Sequence, residues 1–356
     1  MSFSREQPPD ALCLIRLSAI GDCCHTVPVV RTFQSYWPDT PITWIIGRTE
    51  HALLDGLSGV EFITYDKADP RGSRRAIRKQ LAGRRFPVLL HMHPSMRANL
   101  VSLTLRADLR LGLGGRTNDF QWLFTNARTE VRDRVHVMDR FFGFPDYFDL
   151  GPRTLRWDIP VSEADRQFAA QVCGGRQPVV VISPCSNPRF RNFRNWRAEN
   201  YAALAAWLVE AHGARVLLTG GPSQLERDYG KVIEAAAGRG VQNLIGSTSL
   251  KQVLAVIEAA DLLICPDSGP AHMATAVGTD VVGLYATTNR FRAAPYFCQD
   301  LVVDKYPQAI RQEYGKSVDE LRWGTRVRDP AAMDLIRLED VQEKVGLALT
   351  RRGNRG

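Results

Sequence analysis

The stretch LCLIRLSAIGDCCHT, residues 12–26, places an apolar run directly before a glycine and an acid. Arg16 is the only charge in residues 12–17, so a buried strand is predicted there. Gly21 permits a tight turn, and the residues that follow can begin a helix. Asp22 would then stand at a helix N-terminus, where a carboxylate either caps the helix or faces a ligand. The stretch therefore predicts a strand–turn–helix unit with Asp22 at its functional edge.

The same alternation of strand-like and helix-like segments continues along the chain. Apolar runs recur between helix-like stretches at 42–47, 61–65 and 88–91, and again at 179–183, 215–219, 243–246, 262–265 and 281–285. Such alternation predicts α/β architecture, with two doubly wound parallel sheets. Ligands of these sheets bind outside the carboxyl ends of the strands, so we expect two lobes that face a central cleft.

The domain boundary is predicted where GPRTLRWDIPVS, residues 151–162, interrupts the pattern with glycine, proline and serine. We expect an N-terminal domain at 1–160 and a second domain at 161–330, which begins with a helix near Glu163. Residues 331–349 are predicted to form a helix, followed by a tail that frays. This segment, 331–356, is expected to pack back toward the N-terminal domain.

Composition narrows the class of protein. The chain has 356 residues, of which 44% are hydrophobic, and it carries a net charge of +8, which predicts an anionic partner. Neither a membrane-spanning run nor a signal peptide is visible, so a cytoplasmic protein is expected. The seven cysteines form no CxxC pair, which argues for buried thiols rather than disulfides or zinc. No zinc finger, RRM or GxGxxG fingerprint indicates nucleic acid, nicotinamide or flavin binding.

Two stretches of the second half predict phosphate binding. LLICPDSGPAHMAT, residues 262–275, runs from a strand through Asp267 to a helix start, whose free N–H groups suit an anion. The alternative is an ordinary turn capped by Asp267 or Ser268. SPCSNPRFRNFRNW, residues 183–196, holds arginines that suit a diphosphate, unless it is a solvated loop. These are Arg189, Arg191 and Arg194, with Arg197 just beyond, and Phe190, Phe193 or Trp196 are the aromatic residues on which they could stack.

Three weaker signals accompany these motifs. Thr219 and Gly220 end a predicted strand and precede Glu226, which suits ribose hydroxyls or is simply a surface charge. Residues 71–85 contain seven basic and no acidic residues, so they form either a solvated face or a surface for headgroups or a phosphorylated acceptor. His91 and His93 alternate onto one face without a third ligand in sequence, so packing or substrate contact is expected rather than metal.

Together the motifs resemble glycosyltransferase family 9, the ADP-heptose:lipopolysaccharide heptosyltransferases, over residues 11–297. The residues that carry the resemblance are RLSAIGDCCHTVPVVR, NPRFRNFRNW, LLTGGPSQLER and LLICPDSGPAHMATAVGTDVVGLYATTN. It implies a GT-B fold of two Rossmann-like domains, with the acceptor on the first and the nucleotide sugar on the second. It also implies inverting heptose transfer from ADP-heptose to Kdo-lipid A, without metal or other cofactor, by a peripheral protein on the cytoplasmic face of the inner membrane. The form GDxxHTxP resembles heptosyltransferase I more than II.

By position, the resemblance implies that Asp22 is the general base and that Arg194 neutralises the departing ADP, with Arg189 and Arg191 as competitors for that role. Ser183-Pro184-Cys185 stands where many members have His-Pro-Gly. The expected donor-binding residues are Ser183, Thr219, Gly220, Glu226, Thr248, Asp267, Ser268, Gly269, Pro270 and His272. The expected acceptor-binding residues are Ser18, His25, Arg71, Arg74, Arg75, His93 and Arg97. The alternatives are a family member with another nucleotide sugar or glycan acceptor, and a non-catalytic binder of phosphorylated sugars or anionic lipid.

Overall fold

The computed structural model describes residues 3–187 and 193–353, and the chain divides into two compact units, Met1–Pro160 and Val161–Gly356. The strands described in the first unit are β1 (Leu12–Ile15), β2 (Ile42–Gly47), β3 (Val60–Tyr65), β4 (Arg85–His91), β5 (Arg106–Gly112) and β6 (Ala127–Arg128). Its helices are α1 (Ile20–Tyr36), α2 (Arg48–Leu54), α3 (Pro70–Gln80), α4 (Met96–Ser102) and α5 (Val137–Asp146).

The second unit repeats this plan. Its described strands are β7 (Val179–Ile182), β8 (Arg215–Leu218), β9 (Val241–Asn243), β10 (Leu262–Pro266), β11 (Val281–Tyr285) and β12 (Val303–Asp304). The helices are α6 (Glu163–Cys173), α7 (Ala198–His212), α8 (Gln224–Ala237), α9 (Leu250–Ala259), α10 (Gly269–Val277), α11 (Arg290–Ala293), α12 (Tyr306–Tyr314) and α13 (Leu338–Gly353).

Both sheets have the same strand order. The first runs β3-β2-β1-β4-β5-β6 and the second β12-β11-β10-β7-β8-β9, and all the paired strands are parallel. Counted within each unit, both orders are 3-2-1-4-5-6, the Rossmann order, in which the chain direction across the sheet reverses beside the first strand. The predicted doubly wound architecture is confirmed in both units.

Helices cover the sheets because the central strands are apolar on both faces. Every residue of β1, β7 and β10 is buried, as expected for parallel strands enclosed by helices. In the first unit, α3 and α4 cover the same face of the sheet, since Ile77 of α3 and Val101 of α4 join one core cluster with Ile15. All seven cysteines are buried, as predicted. Among the described residues, no helix is long and apolar enough to cross a membrane.

Some elements differ from the sequence-based expectation. β5, β6 and β12 were not predicted, because β5 carries three charges and the other two strands are only two residues long. β9 spans Val241–Asn243, earlier than the predicted 243–246. The predicted helix at 331–349 is a 3₁₀ turn, Ala332–Leu335, followed by α13, which extends to Gly353 into the expected tail. α13 contacts β11, β12 and α7 of the second unit; packing toward the first unit stays a prediction.

Candidate active site

In the first unit, the strand order reverses between β1 and β4, where doubly wound sheets bind ligands. The chain passes Arg16, Leu17 and Ser18 after β1, and reaches His93 shortly after β4. The backbone N–H of Leu17 donates a hydrogen bond to Nδ1 of His93, and the two atoms are 3.2 Å apart. The fold therefore joins two predicted acceptor segments that are 76 residues apart in sequence.

Asp22, the expected base, is the third residue of α1 and forms an ion pair with the Arg16 guanidinium. Its Oδ2 also accepts a hydrogen bond from the Ala19 N–H over 3.4 Å, which is a capping contact. Arg16 Nη1 donates to the carbonyl of Met92, 2.7 Å away, so Arg16 links the ends of β1 and β4. The Arg16 side chain is 7% exposed, but that of Asp22 is 30% exposed. Asp22 is thus oriented by its own turn and keeps an open side.

Arg16 was not assigned a role from the sequence. The signal for it was its position as the only charge in an apolar strand run. A buried charge is retained only where it has partners, and here the partners are a carboxylate and a backbone carbonyl. Its guanidinium carbon also lies 4.9 Å from the centre of the Phe141 ring, a cation–π contact that further fixes the side chain.

Three cationic side chains, those of Arg16, Lys67 and Arg97, lie near His93. Burial, followed by the nearby cations Arg16 and Arg97 and by Lys67, lowers the pKa of His93 from 6.5 to about 2. The imidazole is therefore neutral at physiological pH, and its Nδ1 acts as an acceptor. Lys67 is held at this edge by Glu50, with 2.9 Å between Nζ and Oε1. Because Arg16 and Lys67 each pair with a carboxylate, Arg97, which has no ion pair among the described residues, supplies the positive charge that suits this edge to an anionic ligand.

The remaining predicted acceptor residues fall into two groups. His25 is only 1% exposed, and its ring packs edge-on against His136 with 5.3 Å between centroids, so it belongs to the core of the unit. Arg71, Arg74 and Arg75 lie on α3, where Arg71 and Arg75 are exposed. No ion pair joins any of these three arginines to another residue in the described part of the chain.

In the second unit, the order reverses between β7 and β10, and the predicted donor residues lie at this edge. Ser183 follows β7 and Thr219 follows β8, and their hydroxyl oxygens are 2.5 Å apart. Asp267 and Ser268 follow β10 and lead into α10, which begins at Gly269 with Pro270 in its first turn. Ser268 is the N-cap residue, but its side chain makes no capping hydrogen bond. Ser268 therefore occupies the N-cap position, as the alternative expected, but its hydroxyl does not cap the first N–H groups of α10.

Arg194 lies against this helix start. Its Nη1 donates to the Asp267 carbonyl over 2.9 Å and is 3.0 Å from the carboxylate Oδ2 of the same residue. Both side chains are nearly buried, at 13% and 12% exposure. His272, in the second turn of α10, is also buried. Arg189 and Arg191 lie outside the described residues, as does Phe190.

Trp196 and Arg197, which follow Arg194 in the sequence, have structural roles. Trp196 is fully buried and its indole N–H donates to the Ile336 carbonyl, 2.9 Å away. Stacking of an arginine on its ring stays a prediction. Arg197 forms an ion pair with Asp334, with 2.6 Å between Nε and Oδ1, whereas Arg194 pairs with Asp267. Of the two arginines of this stretch that the structure describes, Arg194 lies at the helix start.

Arg326 is a cation at this edge that sequence reasoning missed. Burial, then the charge of Arg194, lowers the pKa of Arg326 to about 10, while Asp267 acts in the opposite direction and Arg292 adds to the lowering. The segment is held beside the end of β11, because the Val327 N–H donates to the Thr287 carbonyl over 3.1 Å. The signal in the sequence was the basic stretch RWGTRVR at 322–328. Arg194 pairs with Asp267, and Arg326 lies close enough to this carboxylate to be influenced by its charge.

The turn after β8 orients Glu226. Its Oε1 accepts from the Gly221 N–H over 2.7 Å, and its Oε2 accepts from the Ser223 hydroxyl over 2.5 Å. A Cβ on Gly220 would lie 3.1 Å from Oε1, so a glycine there leaves room for this arrangement. Thr248 carries a buried Oγ1 that has no hydrogen-bond partner among the described residues. Both side chains offer polar atoms to a ligand at this edge.

Comparisons with known proteins agree with these features. The sequence model of glycosyltransferase family 9 (heptosyltransferase) matches residues 74–321. The lipopolysaccharide core heptosyltransferase OpsX of Haemophilus influenzae is 37% identical over 96% of this chain and 98% of its own length. Lipopolysaccharide heptosyltransferase 2 of Escherichia coli is 25% identical over 76% of this chain and 81% of its own length.

Solved structures support the fold. The glycosyl transferase family 9 structure from Veillonella parvula superimposes with a TM-score of 0.78 at 19% identity and covers 99% of both chains. The Escherichia coli ADP-heptose lipopolysaccharide heptosyltransferase II gives a TM-score of 0.72 at 18% identity, covering 96% of this chain and 99% of the other. The predicted GT-B fold is confirmed. The chain belongs to glycosyltransferase family 9, the heptosyltransferases.

Proposed function

We propose that the protein transfers heptose from ADP-heptose to a Kdo-lipid A acceptor of the lipopolysaccharide inner core, with inversion and without a metal. The observation that carries this proposal is the group of cations around Asp267 at the start of α10, where Arg194 and Arg326 give surplus positive charge. Such an arrangement suits a nucleoside diphosphate group. The relatives named as lipopolysaccharide heptosyltransferases support the choice of donor and acceptor.

The second unit would bind the donor. The N–H groups of Gly269 and the following residues would hold the diphosphate, with Arg194 and Arg326 balancing the charge that develops as ADP departs. The Glu226 carboxylate would accept hydrogen bonds from the ribose, since Gly221 and Ser223 already orient it. Thr248 would contribute its buried hydroxyl near the adenine of the nucleotide. Ser183 and Thr219 would line the same edge.

The first unit would supply the base and the acceptor site. Asp22 would take the proton from the acceptor hydroxyl as that oxygen attacks the anomeric carbon, on the face opposite the bond to the diphosphate. Formation of the new glycosidic bond and rupture of the bond to ADP balance the transfer. Arg16 would position Asp22 through their ion pair. The positive charge of Lys67, Arg97 and the α3 arginines would attract the phosphates and carboxylates of the acceptor.

We place the protein at the cytoplasmic face of the inner membrane, because the proposed acceptor is a membrane lipid. The net charge of +8 supports attraction to an anionic surface.

A transfer assay read by mass spectrometry tests the proposal. The purified chain is incubated with ADP-heptose and Kdo-lipid A, with UDP- and GDP-sugars as controls and with a parallel sample containing EDTA. We expect one heptosyl unit to be added from ADP-heptose alone, with EDTA having no effect. Addition from another nucleotide sugar would assign a different family 9 activity, and no addition from any donor would indicate a non-catalytic binder. Loss of transfer in EDTA would overturn the metal-independent mechanism.

A further inference from the structure

The first unit exposes a group of large apolar side chains from α4 and from the loop after β5. Each is between 37% and 62% exposed. We refer to this group as the apolar patch; its members are Met96, Leu100, Leu103, Phe120, Trp122 and Leu123. Contiguous exposed apolar surface on a folded protein marks an interaction site more often than isolated apolar residues do.

The patch residues and the core residues of α4 lie on opposite sides of the helix. Met96, Leu100 and Leu103 are four and three residues apart, so they share one side of the helix. On the opposite side, Ala98 and Val101 are fully buried in the core cluster beneath the sheet. The helix is therefore apolar both toward its own core and on its outward side.

The loop that completes the patch is fixed by buried polar contacts. Gln121 is only 1% exposed, and its Nε2 donates to the His91 carbonyl over 2.7 Å. Asp119 joins the loop to α4, because its Oδ2 accepts from the Met96 N–H at 2.9 Å and its carbonyl accepts from Asn99 Nδ2 at 2.6 Å. Phe120 and Trp122 flank Gln121, so the anchor that holds the loop also presents these two rings to solvent.

Cations border the patch. Arg97 follows Met96 on α4 and Arg116 precedes Phe120 in the loop, and both are exposed. Neither forms an ion pair with another residue of the described ranges. α3 covers the same face of the sheet as α4 and adds further basic residues, which are Arg71, Arg74, Arg75, Arg78 and Lys79. Exposed aromatic and aliphatic side chains bordered by unpaired arginines match the chemistry of an anionic bilayer interface.

We infer that the apolar patch enters the headgroup region of an anionic bilayer, with the neighbouring arginines on lipid phosphates. Trp122 suits the headgroup boundary, and Phe120 and Leu123 suit the acyl region just below it. The inference deepens the proposed function, on which it rests for the presence of a membrane acceptor. It adds the surface by which the enzyme reaches a substrate that stays in the bilayer.

Vesicle binding without donor or acceptor tests this surface independently of transfer. The full chain is sedimented with phosphatidylglycerol/phosphatidylethanolamine vesicles and with phosphatidylcholine vesicles. Phe120→Ser/Leu123→Ser removes two patch side chains and keeps Trp122 as a reporter, the one exposed tryptophan of the described residues. The matched control, Leu225→Ser/Phe297→Ser, removes an exposed leucine and phenylalanine from the second unit, at 42% and 56% exposure.

We expect the patch variant to bind the anionic vesicles at least about tenfold more weakly, because less apolar surface enters the bilayer, while the control binds within about twofold of wild type. Brominated lipids should quench Trp122 fluorescence in the wild-type chain, and a Trp122→Ser variant should lose that quenching. Equal binding by the patch variant, or equal binding of wild type to phosphatidylcholine, would overturn the inference. So would a patch variant that changes the oligomeric mass instead, since the patch would then cover a second copy.

Transfer assays separate this inference from the proposed function. The patch variant should keep wild-type transfer to detergent-dispersed acceptor and lose at least about tenfold with acceptor embedded in vesicles. If wild type transfers no heptose at all, the proposed function fails while the vesicle result stands by itself. If the patch variant transfers equally well to both acceptor forms, the surface has no role in reaching the substrate and the inference fails.

Discussion

Acidification should destabilise the first unit through His91, the last residue of β4, and His93, two residues further along the chain. His91 is fully buried, with its Nδ1 3.1 Å from Gln121 Nε2, and burial lowers the pKa of His91 to about 4. Burial and neighbouring cations lower the pKa of His93 to about 2. Both rings are therefore neutral in the folded chain at pH values where an unfolded chain protonates them.

The size of the effect follows from proton linkage. Because the unfolded pKa of histidine is about 6.5, the unfolded state gains a proton per histidine as the pH falls below that value. The stabilisation is complete above pH 6.5 and is lost as the pH falls toward the folded values. Between about pH 7.5 and 5.0, each histidine should cost about 2 kcal/mol of the free energy of unfolding, and both together about 4 kcal/mol.

Urea unfolding of wild type and variants at the two pH values measures this loss. His91→Asn and His93→Asn each keep an acceptor near the position of Nδ1 and should each reduce the pH-dependent loss by about 2 kcal/mol. The reasoning is refuted if either asparagine variant loses as much stability on acidification as wild type does.

Three further predictions concern the proposed reaction. Asp22→Asn should lower single-turnover transfer by about 10² to 10⁴-fold, because the general base is lost, and leave the ADP Kd measured by calorimetry unchanged; near-normal transfer would contradict its role as base. Arg326→Met should weaken ADP binding by about tenfold or more with little change in urea stability, because Arg326 has no ion-pair partner among the described residues; unaltered ADP affinity would remove it from the site. Arg194→Met should weaken ADP binding and also cost about 3 kcal/mol of stability, because the Asp267 carboxylate is only 12% exposed and loses its ion pair; undiminished stability would refute that reason.

The local sequence was sufficient to predict the strands that lie inside the sheets. β1, β7, β10 and β11 are uninterrupted apolar runs because helices cover both of their faces, so composition and length alone indicate them. β5 was missed because Arg106, Asp108 and Arg110 resemble a polar segment. Two of its charges have partners that the local sequence does not reveal: Asp108 pairs with Arg85 across the sheet, and Arg110 donates to the Ser102 carbonyl of the preceding helix.

The sequence by itself determined which residues stand where a strand ends and a helix begins. Asp22, Ser183, Thr219 and Asp267 were recognisable from an apolar run followed by a turn, because both signals lie within a few residues of each other.

Only the tertiary structure decided which of these residues have partners and what those partners are. Arg16 reaches Met92 across 76 residues of chain, and Arg194 reaches Asp267 across 73. Both contacts exist because the 3-2-1-4-5-6 strand order sets the first and fourth strands of each unit side by side. Arg326 approaches the same carboxylate only after the chain has passed all the strands of the second unit. Strand order depends on how the whole sheet is covered by its helices, and no local pattern carries that information.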